Sequence, residues 1–524
     1  MLGCLYLLFS LPSMTLVRFL GWMQARATVY SITSARVIMR IGAALPITYT
    51  IPFVCIDNAS VSVDPKTGHG TIALQTTGNM RLSYGILWPH VRPWLLRQPQ
   101  PAFRAIPDAA RVARDKVLQR MADLGVWSKA QVDDARIEPV VARRLQAPLS
   151  AALLAERLRR QQPRAPRITS TLDAGLQRTL EERVQGYFSS LPARTSAALL
   201  VVDNATMEAR AYVGSVAFAD RERLGHVDMV QAWRSPGSTL KPFLYGLALD
   251  DGLIHSESLL VDAPQSFGGY RPGNFDAAFN GPVSAADALR LSLNVPAVDL
   301  LDRVGPARFS ARLANNGLTL RYPRGAQPNL SLILGGTGAR LEDLVGAYAA
   351  LNRGGLSGRV RYTAQDPSSD RRLLSPGAAW IIREILEAHP RPGYGGGVLD
   401  TGSRPRVAWK TGTSYGFRDA WALGATRRYT VGVWVGRPDG TPLPGQYGAV
   451  TALPLMFEVI DSLPRGQGDA GPTPPPAEVA EHAICWPLGT QAEPEAPQLC
   501  QRRRDAWTLG GNVPPTFAER DARL

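Results

Sequence analysis

The sequence predicts an α+β fold followed by a small C-terminal module. Two groups of apolar segments of strand length carry this prediction. They are Ala197–Asp203 with Arg210–Val216, and the later succession Val407–Thr413, Ala420–Ala425 and Tyr429–Val435. Helical spacing dominates elsewhere, in Ala174–Tyr187, from Ala285 to about Leu318 and in Leu341–Leu351. Strands gathered into runs, with runs of helices between them, are typical of α+β domains.

The N-terminal 105 residues show no sustained helical or strand period, and we expect an irregular, apolar region there. Residues Leu2–Val17 and Ile41–Ile56 are uncharged runs, each shorter than the roughly 20 residues that span a bilayer comfortably. Either run is a candidate membrane anchor.

Composition shifts divide the rest of the chain. A helical pattern over Ala109–Arg136 includes Ser128 as the N-cap of a helix, and the basic stretch Arg157–Arg167 has the composition of a linker. We therefore expect a helical segment with its linker at 106–167 and a main domain at 168–464. A Gly/Pro-rich linker at 465–478 and a C-terminal module at 479–524 follow.

The composition excludes several classes of function. With 45% hydrophobic and 19% charged residues, the 524-residue chain has enough apolar residues for a globular core. Its net charge of +14 is compatible with nucleic acid or with an anionic membrane surface. The chain has no zinc-finger spacing and no basic run interleaved with aromatic residues, so we expect no nucleic-acid partner. We also expect no metal and no cofactor.

The four cysteines fall into two pairs. Cys4 and Cys55 lie in apolar segments, as small buried hydrophobes do. Cys485 and Cys500 flank a short loop near the C-terminus and are candidates for a disulfide in an oxidising compartment. Two free thiols are the open alternative.

Ser238 precedes Lys241 by three residues in a chain with only five lysines among 58 basic residues. Positions that merely need positive charge carry arginine, which cannot lose its proton, whereas a buried lysine can. At this spacing both side chains share one face of a helix. A neutral Lys241 amine would take the hydroxyl proton and make Ser238 a nucleophile.

Two further motifs follow in order. Ser292-Leu293-Asn294 would point its serine and asparagine into a cleft, and Lys410-Thr411-Gly412-Thr413 lies on a predicted strand where glycine permits close backbone approach. Neither motif means much alone, since Lys66-Thr67-Gly68 repeats the first three residues of the second one in a polar turn.

The ordered set resembles that of the penicillin-recognising serine enzymes. The surrounding residues, from about Ala109 to the C-terminus, resemble the class A penicillin-binding proteins. The segments that carry this resemblance are Gly225–Asp228, Arg234–Phe243, Tyr270–Asp276, Ser292–Ala297, Asn329–Gly336 and Lys410–Trp421.

The resemblance implies a β-lactamase-like domain, an antiparallel sheet flanked by helices, that cross-links peptidoglycan stem peptides. Ser238 would be the nucleophile, Lys241 the base and Ser292 the proton relay beside Lys410. Asn294 would bind the donor peptide, while Lys410, Thr411, Gly412 and Thr413 would hold its carboxylate. The N–H groups of Ser238 and Thr413 would form the oxyanion hole. β-Lactams would acylate the same serine at the periplasmic face of the inner membrane, and this membrane is a candidate contact of the chain.

One departure from the family pattern stands out. Class A members carry an N-terminal glycosyltransferase domain, and only its last helical portion, about Arg111–Arg136, is resembled here. The resemblance implies that 106–167 is the remnant of the C-terminal tail of that domain with its linker. The catalytic glutamates of the domain have no counterpart in residues 1–105. We expect no glycan polymerisation. Two alternatives stay open: a carboxypeptidase or β-lactamase-type hydrolase, and a non-catalytic remnant of a truncated gene.

Overall fold

The computed structural model divides into two units, Met1–Gln146 and Ala147–Leu524. The residues that it describes are 29–32, 36–41, 47–52, 55–63, 69–76, 87, 90–91, 99–107, 115, 119, 122–123, 128–137, 149–188, 191–392, 404–466, 471–493, 498 and 500–517. Among these residues, no helix is both long and apolar enough to cross a membrane.

The described residues of unit 1 form two three-stranded antiparallel sheets, ordered β1-β2-β3 and β4-β5-β6. The strands are β1 Val29–Ile32, β2 Arg36–Ile41, β3 Ile47–Pro52, β4 Ile56–Val63, β5 His69–Thr76 and β6 Ala102–Pro107, followed by helix α1 Lys129–Ile137. The expectation of an irregular region was therefore wrong for these segments. In β2 the buried residues alternate (Val37, Met39, Ile41), but a strand of six residues is too short to show a sustained period. Ser128 caps α1 as predicted, since its Oγ accepts a hydrogen bond from the backbone N–H of Gln131.

The centre of unit 2 is a five-stranded antiparallel sheet in the order β13-β14-β15-β7-β8. Its strands are β7 Ser196–Asp203, β8 Ala209–Val213, β13 Ala408–Thr413, β14 Asp419–Ala425 and β15 Tyr429–Gly436. All five lie where the sequence predicted strands, which confirms the α+β fold. The short pairs β9 Leu259–Asp262 with β10 Gly281–Ser284 and β11 Leu356–Gly358 with β12 Asp370–Arg372 lie outside this sheet.

Helices cover both faces of the sheet. In β7, Ala198, Leu200 and Val202 enter one apolar core and the alternate residues enter another. The first core contains residues of α4, α6, α8 and α9, and the second contains residues of α3 and α10. The helices of unit 2 are α2 Ala152–Gln161, α3 Ala174–Tyr187, α4 Lys241–Asp250, α5 Ala285–Arg290, α6 Asn294–Val304, α7 Pro306–Asn315, α8 Leu341–Tyr348, α9 Pro376–Glu387 and α10 Leu453–Ser462.

The prediction of a linker at 157–167 was partly wrong, because the first residues of this stretch complete helix α2. Arg157 of this helix donates to Glu342 Oε2 at 2.7 Å and lies over the Tyr362 ring, 4.5 Å from its centroid. The pattern looked like a linker because its arginines and glutamines carry no apolar signal. Arg157 is nonetheless fixed by a partner 185 residues away, whereas Arg159 and Arg160 bond to residues within six positions.

The C-terminal module is a three-stranded sheet in the order β17-β16-β18, formed by β16 Val479–Trp486, β17 Thr490–Gln491 and β18 Arg502–Leu509. It packs on the helical layer that carries the predicted site. Trp507 meets Trp380 of α9 edge to face, with ring centroids 4.9 Å apart. Ser256 exchanges two hydrogen bonds with the Trp507 backbone. A disulfide joins Cys485 to Cys500 in this module. Cys55 is free, and Cys4 lies outside the described residues.

Candidate active site

Ser238 lies in a 3-10 turn, Gly237–Leu240, that leads directly into α4. Three bonds fix this turn. Trp421 Nε1 donates to the Ser235 carbonyl at 2.7 Å, Ser235 Oγ donates to Gly335 O at 2.8 Å, and the Tyr348 hydroxyl donates to Thr239 O at 2.6 Å. The donors come from β14, from α8 and from Ser235 just before the turn, so the Ser238 turn is tied to the central sheet and to helix α8.

Two glycines bring the turn against strand β13. Gly237 has a φ of +54°, and a Cβ there would lie 2.6 Å from the Thr413 amide nitrogen. A Cβ on Gly412 would lie 2.5 Å from the Pro236 carbonyl oxygen. The Thr413 amide therefore lies beside the Ser238 turn, which is the arrangement that a pair of oxyanion donors requires.

Lys241 is completely buried at the start of α4. Its Nζ donates to the carbonyls of Ser292 (2.7 Å) and Leu293 (2.9 Å) and to Asn294 Oδ1 (2.8 Å). Burial holds the pKa of Lys241 well below its ordinary value, and neighbouring Lys410 lowers this pKa further. No hydrogen bond joins Lys241 Nζ to Ser238 Oγ in the described part of the chain.

Ser292 lies between the two lysines. Lys410 Nζ donates to Ser292 Oγ at 2.7 Å, and Lys241 Nζ lies 3.5 Å from the same oxygen. Ser292 has a φ of +58°, a left-handed conformation that non-glycine residues rarely adopt outside functional sites and tight turns. Burial lowers the pKa of Lys410 to about 7. A hydroxyl between two amines that lose their protons easily is suited to passing a proton.

The remaining residues of the third motif line β13. Thr413 Oγ1 accepts a hydrogen bond from the Gly448 backbone N–H at 3.1 Å, and this leaves its hydroxyl proton to donate elsewhere. Thr411 and Thr413 are half-buried, whereas Lys410 and Gly412 are buried. The similar stretch at Lys66–Gly68 lies outside the described residues.

Sequence reasoning missed a set of polar residues behind Asn294. Asn274 Oδ1 accepts from the Asn294 backbone N–H, and Asn294 Nδ2 donates to Gly273 O, both at 2.8 Å. Asn274 in turn donates to the buried carboxylate of Asp262. Asn274 belongs to one of the segments that carry the resemblance, Tyr270–Asp276. Asp262 belongs to none, and no local pattern marks it.

Three family models match the chain. Residues 197–437 match the penicillin-binding protein transpeptidase domain, and residues 478–508 match the penicillin-binding protein 1C linker domain. Residues 2–120 match the bacterial PH domain, which the sequence analysis did not foresee.

Among curated proteins, penicillin-binding protein 1C of Escherichia coli (strain K12) is 51% identical over 414 residues, 78% of this chain and 53% of that protein. An uncharacterized 23.7 kDa protein in the puhA 5′ region of Rhodobacter capsulatus is 56% identical over 110 residues, 21% of this chain and 51% of that protein. The chain thus spans about half the length of each of these two relatives.

Among solved structures, PonA1 of Mycobacterium tuberculosis in complex with penicillin V matches with a TM-score of 0.51 at 22% identity. The match covers 63% of this chain and 99% of that one, and at this identity it supports the fold alone. The ordered motifs, the five-stranded sheet and the 51% identity to penicillin-binding protein 1C all indicate the same kind of domain. The second unit of the chain therefore contains a transpeptidase domain that belongs to the penicillin-binding protein family.

Proposed function

We propose that this protein is a peptidoglycan D,D-transpeptidase that works through an acyl-enzyme on Ser238. The observation that carries the proposal is the convergence of three distant motifs. The Ser238 turn packs on β13, and the side chains of Lys241, Ser292, Asn294 and Lys410 form one hydrogen-bonded cluster beside it. Residues 170 positions apart meet there, which chance matches to short motifs would not produce.

In the acylation step, Ser238 Oγ attacks the carbonyl carbon of the D-Ala–D-Ala peptide bond. Neutral Lys241 takes the hydroxyl proton, and its lowered pKa makes the neutral form accessible. The backbone N–H groups of Ser238 and Thr413 stabilise the negative oxygen of the tetrahedral intermediate. The C–N bond then breaks, and the departing D-Ala nitrogen receives a proton from Ser292, which regains one from its lysine neighbours.

The substrate is held by groups already in place. Protonated Lys410 and the hydroxyls of Thr411 and Thr413 would bind the terminal carboxylate of the donor peptide, and Asn294 would bind its backbone. An amine of a neighbouring stem peptide then attacks the ester, forms the new amide and releases Ser238. Catalytic hydrogen bonds are often long in the free enzyme and tighten only with substrate bound, so the bond between Lys241 Nζ and Ser238 Oγ would form in the substrate complex.

Labelling with a fluorescent penicillin tests this assignment. The wild-type protein should form a stable covalent adduct, and Ser238→Ala should form none. Rapid release of hydrolysed penicillin would favour the hydrolase alternative, and a folded wild-type protein that stays unlabelled would favour the non-catalytic one.

We further propose that the chain lacks glycan-polymerising activity. Residues 1–105 contain no counterpart of the glycosyltransferase glutamates, and residues 2–120 match a different family. A lipid II assay should yield no glycan strands, and their appearance would refute this proposal. The periplasmic face of the inner membrane is where the proposed substrate lies, and the disulfide of the C-terminal module is compatible with that oxidising compartment.

A further inference from the structure

Asp262 is a fully buried carboxylate at the end of β9 with no part in the mechanism above. It accepts four hydrogen bonds. Asn274 Nδ2 donates to its two oxygens at 2.8 and 2.9 Å, and Asn280 donates through its backbone N–H (2.9 Å) and its Nδ2 (2.8 Å). Burying a carboxylate is costly, and this one is stabilised by a set of donors that gather the 274–280 loop around it.

The carboxylate determines which way the Asn274 amide points. An ionised carboxylate only accepts hydrogen bonds, so the Asn274 NH₂ group must face Asp262 and the Asn274 oxygen must face away. That oxygen accepts from the backbone N–H of Asn294 at 2.8 Å. Asn294 begins α6, where this N–H has no partner within the helix, and Leu293 at the N-cap has no side chain that could cap it.

The same loop also orients the Asn294 side chain. Gly273 O accepts from Asn294 Nδ2 at 2.8 Å, which turns Asn294 Oδ1 towards Lys241 Nζ, also at 2.8 Å. A continuous chain of hydrogen bonds therefore runs from Asp262 through Asn274 and Asn294 to the proposed base.

Asp262 acts on Lys241 through its charge as well. In the described residues, the charged groups that influence Lys241 are Lys410 from β13, which favours the neutral amine, and Asp262 from β9, which favours the ammonium. The other groups around Nζ are neutral: the carbonyls of Ser292 and Leu293, the Ser292 hydroxyl and Asn294 Oδ1.

We propose that Asp262 is a positioning residue for acylation, which fixes Asn294 through Asn274 and balances the charge of Lys410 at Lys241. This inference rests on the proposed function. It assigns the buried carboxylate to the active site rather than to packing alone.

The test is the pH dependence of acylation by a fluorescent penicillin, measured per folded molecule. Asp262→Asn has the same shape but presents an NH₂ group to the donors of Asn274 and Asn280. We expect acylation to slow roughly 10- to 100-fold, as losses of supporting contacts around a site often do. Because the variant also removes a negative charge near Lys241, the amine should lose its proton more readily, and the rise of the rate with pH should move to lower pH.

Three comparison variants separate charge, relay and packing. Asp262→Glu keeps the negative charge and should slow acylation without changing the pH at which the acylation rate rises. Asn274→Ala interrupts the chain of hydrogen bonds from Asp262 to Lys241 but keeps the charge of Asp262. It should likewise slow acylation, with little change in the pH at which the acylation rate rises. Asp250→Asn is the matched control. Asp250 ends α4, the helix that Lys241 begins, and its carboxylate accepts from Ser375 N at 3.1 Å, away from the site. The Asp250→Asn variant should leave both the rate of acylation and its pH dependence unchanged.

Two results together would overturn the inference. The acylation rate of Asp262→Asn would rise with pH at the same pH as in the wild-type protein, and it would equal the acylation rate of Asp250→Asn. If Asp262→Asn does not fold, Asn274→Ala decides, and wild-type acylation by that variant would overturn the relay. A wild-type protein that is not acylated would instead overturn the proposed function, and this inference with it.

Discussion

At the scale of single residues, the site places two lysine ammonium groups around one serine hydroxyl in a buried setting. Lys241 and Lys410 both donate towards Ser292 Oγ, and both are almost completely buried. Burial and mutual repulsion favour loss of a proton from such a pair. In the proposed mechanism the two amines nevertheless have opposite tasks, because Lys241 must be neutral to act as a base while Lys410 must be charged to hold a carboxylate.

This division predicts the alkaline side of the pH profile. The pKa of Lys410 is about 7, so the second-order rate constant of acylation should fall as pH rises through that value, since this constant reports the free enzyme. In Lys410→Arg, the guanidinium group that replaces the amine keeps its proton at every accessible pH. We expect the variant to acylate slower by roughly 100-fold, because the guanidinium does not reproduce the contact with Ser292, and to lose the alkaline fall. A fall at the same pH in both proteins would show that another group titrates.

The sequence made the three motifs visible because each is local: its residues lie within three or four positions of one another. Asp262 was not predictable in this way. Its partners lie 12 and 18 residues away, and the proposed relay to Lys241 runs through two asparagines. A buried carboxylate in a short apolar strand has no sequence pattern that distinguishes it from an exposed one.

At the scale of elements, the contact between the Ser238 turn and β13 depends on the absence of a side chain at Gly412. A Cβ there would lie 2.5 Å from Pro236 O and 2.7 Å from Thr239 Cγ2. Gly412→Ala should therefore push the turn away from the strand. We expect a loss of about 1–3 kcal/mol in the free energy of unfolding, the usual range for overpacking, and a much slower acylation.

Gly186→Ala is the matched control for this prediction. Gly186 lies near the end of α3, with open space where a Cβ would be. Alanine should raise the free energy of unfolding by up to about 1 kcal/mol and leave acylation unchanged. Urea unfolding and penicillin labelling measure both effects, and wild-type acylation by Gly412→Ala would contradict the proposed close contact.

Secondary structure was predictable from sequence where elements are long or fully buried. Helix α3 was predicted at its observed bounds, Ala174–Tyr187, and the central strands lie within two residues of their predicted starts. The strands of unit 1 were missed because their apolar residues alternate over only a few positions. The end of α2 was missed because its arginines and glutamines carry no apolar signal, and because Arg157 finds its partner, Glu342, in a tertiary contact.

At the scale of the whole molecule, every residue of the proposed site and each of its hydrogen-bond partners described above lies in the second unit, Ala147–Leu524. The C-terminal module packs on the same unit, through Trp507 and Trp380. A protein consisting of residues 147–524 should therefore fold and react with fluorescent penicillin at the rate of the full chain. The same fragment with Ser238→Ala is the control. If the fragment has the circular dichroism spectrum of a folded protein but does not react with fluorescent penicillin, acylation needs residues of the first unit.

The central claim is that Ser238 forms a covalent ester with substrates and penicillins. Peptide mapping by mass spectrometry after reaction with penicillin tests it most directly. The account predicts a single penicilloyl adduct, located on the peptide that contains Ser238 and absent in Ser238→Ala. An adduct on another residue, or one that persists at full yield in Ser238→Ala, would contradict the claim.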